Sequence, residues 1–331
     1  MMLTMEGIYT KDLNAIFFDN INLAPAASTV IEGGLARPYW SNNTNATKYI
    51  NTTFQNVVIM RNTNKGDGYT LSAQLDLPRV YGFSGMVGYS RSMGREVTGK
   101  NGSDPFSAWQ YRQILNSLND PEMGNTLNNT PHRVIGSLNY SVEYAKYFGT
   151  TISVFYSGYQ GNAYTYVYNG DLNKDGTSTH EQMFIPSKQM DLLWKTPADR
   201  DAYFAYAAQD PYLSKHAGEY AKRNGAYTPW NSRIDVRLLQ DFKMKFGKTT
   251  NKLQFSVDVI NFANLLDSSW GLNQNLVTNS PLQVVSRDAA TGKVMVQMTQ
   301  INGKFITKSF QDPTSVAGTY GIQLGLRYIF N

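Results

Sequence analysis

The sequence predicts an all-β fold: a portion of an antiparallel transmembrane β-barrel of about eight strands, with long, partly helical extracellular loops. Three observations carry this expectation. Several stretches alternate apolar and polar residues with a period of two, over the ~9 to 11 residues that a tilted strand needs to cross a bilayer. Aromatic residues gather at the ends of those stretches. Short and long connections alternate along the chain, as they do when tight turns lie on one side of a membrane and large loops on the other.

Composition excludes several other classes. The 331 residues suffice for one large domain or two ordinary ones, and only 17% are charged while 13% are aromatic, with 22 Tyr and 16 Phe. Such a tyrosine-rich, charge-poor chain is unusual for a soluble enzyme. Mean hydropathy is -0.39, and no apolar run approaches the ~18 residues of a spanning helix. Strands closed into a barrel are then the one remaining way across a bilayer. The net charge of +5 is spread thinly, so no nucleic-acid partner is expected. The absence of Cys excludes disulfide scaffolds, thiolate zinc sites and thiol nucleophiles, and is compatible with an oxidising compartment. Met1 to Thr10 lacks the basic region, apolar core and cleavage site of a signal peptide. The chain is therefore expected either to be cytosolic or to be the C-terminal part of a longer exported protein.

In chain order, the first clear alternation sets Tyr69, Leu71, Ala73, Leu75 and Leu77 against Thr70, Ser72, Gln74 and Asp76. Next come Leu138, Tyr140, Val142 and Tyr144 against Asn139, Ser141 and Glu143. A longer copy sets Ile234, Val236, Leu238, Phe242, Met244 and Phe246 against Arg233, Asp235, Arg237, Asp241, Lys243 and Lys245, with Gln240 on the wrong face. Leu253, Phe255, Val257 and Val259 alternate with Gln254, Ser256 and Asp258, and the last strand runs from Tyr320 through Ile322, Leu324, Leu326 and Tyr328 to Phe330, broken only by Ile329. A soluble sandwich, apolar inside and wet outside, produces the same alternation and is the competing expectation.

Tight turns are expected at Pro78 to Gly82, at Phe148-Gly149 and at Gly247 to Asn251, and long connections at Gly94 to His132, Gly161 to Asn231 and Asn264 to Ala317. Asn62 to Gly68 breaks this rhythm, either as a bulge or as an extra hairpin. Within the long connections, Thr196-Pro197-Ala198-Asp199 caps a helix reaching about Ala208. Asp210-Pro211 opens a second ending near Asn224-Gly225, and Asp104-Pro105 a third to Leu118.

Thr130-Pro131-His132-Arg133 opens a strand, and the run from Tyr164 to Gly176 (YTYVYNGDLNKDG) follows. Arg223-Asn224-Gly225-Ala226 precedes Pro229-Trp230-Asn231-Ser232-Arg233-Ile234-Asp235, after which come Gln240-Asp241-Phe242 and Val259 to Leu266 (VINFANLL). Together these resemble the C-terminal barrel of TonB-dependent outer-membrane receptors, most nearly the SusC-like and Oar-like branch, over most of the chain. Members have a barrel of roughly 22 strands around an N-terminal plug. The resemblance implies that residues 1–331 supply about the last eight strands, with the plug domain, the TonB box and the signal peptide absent. Asn331 after Phe330 departs from the family's usual terminal aromatic.

What the resemblance implies is energised import of oligosaccharides or peptides at the cell outer membrane, without covalent chemistry. Implied partners are the TonB-ExbB-ExbD complex acting through the missing plug, outer-membrane lipid, and, for the SusC-like branch, a SusD-like surface lipoprotein that closes over the mouth. No organic cofactor is expected. Carbohydrate faces stack on aromatic rings, which makes Trp40, Trp109, Tyr111, Trp194, Tyr203 and Trp230 candidate substrate-binding residues, joined more loosely by Tyr39, Phe204 and Tyr206. The competing role for each ring is packing of the loops or a place in the interfacial girdle.

Asp171, Asn173, Asp175 and Gly176 occupy positions one, three, five and six of a calcium loop. Glu181 is the nearest closing acid, one residue early, so the set is a candidate Ca2+ site or an Asx-rich turn. His132, His180 and His216 lie far apart, and no nucleophile elbow, phosphate loop or zinc spacing accompanies them. No enzymatic activity is expected, the one conceivable site being His180 beside Asp175 and Glu181. A second class of function is an autonomous eight-stranded barrel acting as an adhesin or surface-binding protein. A soluble glycan-binding sandwich is the third.

Overall fold

The computed structural model describes residues 1–40, 48–99, 102–178, 180–246 and 249–330. Eight strands follow one another in a single sheet: β1 (Met2–Lys11), β2 (Asp67–Val80), β3 (Phe83–Glu96), β4 (His132–Tyr144), β5 (Phe148–Tyr159), β6 (Asn231–Phe246), β7 (Thr249–Ile260) and β8 (Gly321–Phe330). A ninth, Gly124–Asn125, adds a short pairing at the end of β3. Every neighbouring pair is antiparallel. Among the described residues β1 and β8 each pair on one side only, so the sheet has two edges.

Register decides which side chains share a face, because directly opposed residues point the same way. Across β4 to β8, Tyr140, Ile152, Leu238, Val257 and Leu324 stand opposite one another in turn. The row above them is Leu138, Val154, Val236, Val259 and Ile322. The intervening residues give the other face, with Asn139, Ser153, Arg237, Asp258 and Gln323 in one row. One face is thus aliphatic and aromatic, the other hydroxyl, amide and charged. Gln240 does lie on the apolar face, where Thr150 Oγ1 donates to its Oε1 at 2.7 Å and its own Nε2 donates to the Asp241 carbonyl at 3.1 Å. A short polar chain, closed by Tyr144 Oη at 3.1 Å from Thr150 Oγ1, satisfies the one misplaced amide.

The two short turns among the described residues lie at one end of the sheet. Tyr81 (φ 50°) and Gly82 (φ 86°) make a two-residue turn of the primed kind. A Cβ at Gly82 would stand 2.8 Å from the Ser141 carbonyl oxygen. The expected turn from Pro78 is corrected: β2 continues to Val80, and Pro78, lacking an N–H, only shifts the register between Leu77 and Val80. The expected turn at Phe148-Gly149 is corrected likewise, since both residues are already in β5 and the reversal uses Ala145 (φ 50°), Lys146 (φ 64°) and Tyr147. Of the third, Gly247 and Lys248 lie outside the described residues, and Asn251 belongs to β7.

At the opposite end lie four long connections, 12–66, 97–131, 160–230 and 261–320. The first is larger than the local irregularity expected at Asn62 to Gly68. There the Asp12 N–H donates to the Gly66 carbonyl at 3.0 Å, and the β1–β2 hairpin resumes as Ala15–Asn20 paired with Val58–Thr63. Gly66 (φ 144°) lies so close to Asp12 that a Cβ would meet its carboxylate at 2.0 Å.

Apolar burial is concentrated in these connections. One cluster gathers Val30, Tyr166, Tyr168, Met183, Phe184, Ile185, Tyr203, Tyr206, Leu282 and Val296 among others, and a second joins Leu23, Trp40, Trp109, Ile114 and Leu118. None of these residues belongs to β1–β8. Bridges Ile31↔Lys293, Ile114↔Glu181 and Asn169↔Gln283 weave all four connections into one cap. Buried Arg37 reinforces the weave, pairing with Glu32 at 2.6 Å and donating to the carbonyls of Leu115 and Gln182 at 3.0 and 2.7 Å.

Helix α1 (Pro105–Gln110) begins at the Asp104 cap as expected but ends well before Leu118. Beyond it the buried Arg112 guanidinium gathers the carbonyls of Val97, Leu118 and Asp120, which turns the chain back. Helix α2 (Pro197–Gln209) matches expectation: Thr196 Oγ1 accepts from the Asp199 N–H at 3.1 Å, and the helix buries Tyr203 and Tyr206. The helix expected from Asp210 to Asn224 is corrected to one 3-10 turn, Leu213–Lys215. Asp210 caps it by accepting from Tyr212 and Leu213 N–H groups, and positive φ at Gly218 (88°) and Asn224 (50°) bars any continuation. A last short helix, α3 (Phe262–Leu266), follows β7.

Candidate functional site

The polar face of the sheet forms the first part of the site. Three of its charge pairs cross strands, Arg237 with Asp258, Lys243 with Glu143 at 2.6 Å and Lys252 with Asp241 at 3.2 Å, and a fourth lies along β6, Arg233 with Asp235 at 2.9 Å. A hollow of about 440 Å³ lies over Asn139, Ser153, Asp235, Arg237, Asp258 and Gln323. A second, of about 280 Å³, lies where this face meets the cap, between Ser157, Asn231 and Arg233 of the sheet and Asn261, Gly271 and Asn273 of the last connection. Alternation in the sequence marked Asn139, Arg233, Asp235, Arg237, Asp258 and Gln323 as polar-face residues, whereas Ser153 and Ser157 of β5 and the residues of the last connection carry no such signal. Their assembly into one row depends on cross-strand register, which no local pattern supplies.

The candidate aromatic platforms separate into two groups. Trp40, Trp109 and Tyr203 are corrected to core residues, with 4%, 2% and 0% of their surface exposed, which leaves no ring face open for stacking. Trp40 donates to the Ala24 carbonyl at 2.7 Å, and Trp109 to Asn119 Oδ1 at 2.9 Å. Trp194 is partly buried, with its centroid 5.5 Å from Tyr203, and donates to the Gln189 carbonyl at 2.8 Å. Tyr206 is buried beside Tyr203, while Tyr39 and Phe204 pack partly buried on the same cluster. Only Tyr111 and Trp230 of the six keep broad open surface, 51% and 40%. Trp230 lies beside Gly158 and Tyr156 at the cap end of the apolar face.

The Asp171 loop is the densest polar cluster. Asp171 Oδ2 accepts from the Gly176 N–H at 3.0 Å, and Asn173 Oδ1 from the Asp175 N–H at 3.0 Å. Asp175 Oδ1 takes both the N–H and the hydroxyl of Thr177, and its Oδ2 lies 3.5 Å from His180 Nε2. Glu181 Oε1 accepts from the N–H groups of Leu172 and Asn173, at 3.0 and 3.3 Å. Positive φ at Lys174 and Gly176 closes the turn. Among the described residues, three buried atoms of this loop find no hydrogen-bond partner: Asp171 Oδ1, Glu181 Oε2 and His180 Nδ1. Among the described residues no group of three or more His, Asp or Glu side chains stands arranged around a metal position.

Charge in this loop is strained accordingly. Burial and the neighbouring Asp175 push the Asp171 carboxyl up, and burial raises Glu181, with His180 opposing. Burial would raise Asp175 as well, but His180 and Thr177 hold it below the usual carboxylate range. The His180 imidazole, which burial alone would depress, is carried up to about 9 by Glu181 and Asp175. Thr177 Oγ1 and Asp175 meet the same His180 nitrogen, Nε2. A relay with a nucleophile on one ring nitrogen and a carboxylate on the other is therefore not assembled here.

Comparison with family models, with curated proteins and with solved structures gives no match for this chain.

Proposed function

We propose that this chain forms part of the wall and outer mouth of an outer-membrane β-barrel that serves a TonB-dependent importer of oligosaccharides or peptides. The observation that carries the reading is the two-faced sheet. Its apolar side is exposed, as at Leu138, Ile152, Leu238, Leu324 and Leu326, and lipid is the solvent that suits such a surface. Aromatic pairs lie toward the short-turn end, Phe83–Tyr140, Tyr144–Phe148, Phe148–Phe242 and Tyr328–Phe330. Tyr9, Tyr69, Tyr89 and Tyr156 lie toward the cap on the same face. From Phe148 to Tyr156 a strand rising about 3.3 Å per residue covers roughly 26 Å, or about 20 Å along the membrane normal at the usual tilt. That is close to the ~25 Å apolar band of outer-membrane barrels. The hydrated, charge-paired face then lines the lumen, and the cap is the outer mouth.

A sheet edge in hydrocarbon would leave backbone groups unsatisfied. The reading therefore requires β1 and β8 to pair in the membrane, with further strands of a larger barrel or with each other. One observation favours the second arrangement: eight sequential antiparallel strands leave β1 and β8 running in opposite directions, as closure into a small adhesin-like barrel needs. The two readings differ in consequence. In an importer, deleting this chain abolishes uptake of an oligosaccharide or peptide, as does collapsing the inner-membrane proton gradient. Uptake that survives both, in a strain whose undeleted protein is recovered in the outer membrane, supports the adhesin. Recovery in the soluble fraction after carbonate washing contradicts both.

A further inference from the structure

We propose that the Asp171–Glu181 loop binds one divalent hard cation, of which calcium is the fitting member. The loop has the ligand chemistry such ions take, carboxylate and amide oxygens on alternate residues with glycine at the turn. The more telling feature is how the acids are held. Asp171 commits one carboxylate oxygen to the Gly176 N–H and leaves the other buried without a partner. Glu181 does the same: Oε1 is fixed by the N–H groups of Leu172 and Asn173, which draws the carboxyl into the loop, and Oε2 has no partner. Glu181 and Asp175 are both fully buried, with 0% of their surface exposed.

A buried carboxylate oxygen without a partner is costly, and two of them in one loop are more than ordinary turn formation requires. His180 supplies positive charge on one side only, through Nε2 toward Asp175 and Glu181, at 3.5 and 4.0 Å. A cation reached by Asp171 Oδ1, Glu181 Oε2 and the Asn173 and Asp175 side chains satisfies both oxygens at once. In the ion-free arrangement these groups do not surround a common point, so binding turns Asp171 and Glu181 inward. The N–H groups donated to the other oxygen of each acid hold both carboxylates in the loop while they turn, and the cation becomes a clamp on the cap.

Titration calorimetry with calcium chloride on the chelator-treated full-length chain tests this, alongside hydrogen exchange of residues 171–181. The expected result is one calcium per chain with Kd below ~10⁻³ M, and slowed exchange confined to this loop and its neighbours. Asp171→Asn and Glu181→Gln each weaken binding at least ~10-fold. Exchange elsewhere in the cap monitors folding of each variant, and Asp201→Asn, at an exposed acid outside the loop, binds as the parent does. No heat and no change in exchange up to about 5 mM calcium, beyond the range of extracellular calcium modules, overturns the proposal. So does binding that neither loop variant alters.

Discussion

Leu238→Arg is the substitution that most sharply separates a membrane wall from a sheet in water. Leu238 lies in the middle of β6 on the apolar face, opposite Ile152 and Val257, with 38% of its surface exposed. In water, a charge at such an accessible position changes stability by about 0.5 kcal/mol or less. Facing hydrocarbon at mid-depth it costs about 2–4 kcal/mol, a 30- to 900-fold change in the folded-to-unfolded ratio at ~1.36 kcal/mol per decade. The comparison is Thr151→Arg, on the opposite face of the adjoining strand, where Thr151 Oγ1 donates to Ser141 Oγ at 3.0 Å. Losing that hydrogen bond costs about 1 kcal/mol, and the new charge meets water. Urea titration of the full-length chain folded into short-chain phosphatidylcholine vesicles, read by tryptophan fluorescence, measures both. Equal losses in the two variants, or a Leu238→Arg protein as stable as its parent, would refute the assignment of faces.

Other consequences follow from the cap and the turns. Leu282→Ala, at a fully buried residue of the larger cluster, removes about 2–5 kcal/mol from the cap. Since that cluster contains no residue of β1–β8, limited proteolysis should cut the cap while the sheet stays protected. Gly82→Ala, at φ 86° and facing the Ser141 carbonyl, lowers stability by more than ~1 kcal/mol, seen as a drop in Tm. The raised His180 pKa favours the folded loop while the ring is protonated. Its contribution is complete below the unfolded value near 6.5 and fades as pH rises through about 9. Glu181, also raised, acts in the same direction at lower pH, so protection of residues 171–182, measured against the base-catalysed exchange of unstructured amides, should fall from acid to alkaline pH, and His180→Gln should flatten the alkaline part of that fall.

Much of the sheet was legible because its strands are long and its faces chemically distinct. A period of two over Ile234 to Phe246 or Ile322 to Phe330 leaves little ambiguity despite Ile329, and Gln240, the misplaced amide, is satisfied by Thr150 rather than displaced. Turn boundaries were less legible. Pro78 and Gly149 read as turn residues, yet β2 absorbs the first through a shifted register and β5 carries the second inside an ordinary ladder. The cap was hardest to foresee. Asp104 and Asp210 are genuine caps, but helix length past a cap is set by tertiary contacts, here the carbonyls gathered by Arg112 and the buried partners of Asp210. Trp40, Trp109 and Tyr203 drew attention as rings in polar loops. Nothing local distinguishes a platform from a core residue when the loop itself folds around a core. Asp171, Asn173, Asp175 and Glu181 were legible as a cluster because they are close in sequence, whereas the row from Asn139 to Gln323 required the whole register.

The central claim, that the apolar face meets lipid and the polar face meets water, has a direct test because the chain contains no Cys. Single cysteines placed in turn from Thr150 to Ser157 along β5, labelled with an environment-sensitive fluorophore and reconstituted in vesicles containing brominated lipid, report which side chains touch acyl chains. The expected record alternates: strong quenching at Ile152, Val154 and Tyr156, and little at Thr151, Ser153 and Ser157. Uniform quenching, or none at any position, would contradict a membrane-spanning wall.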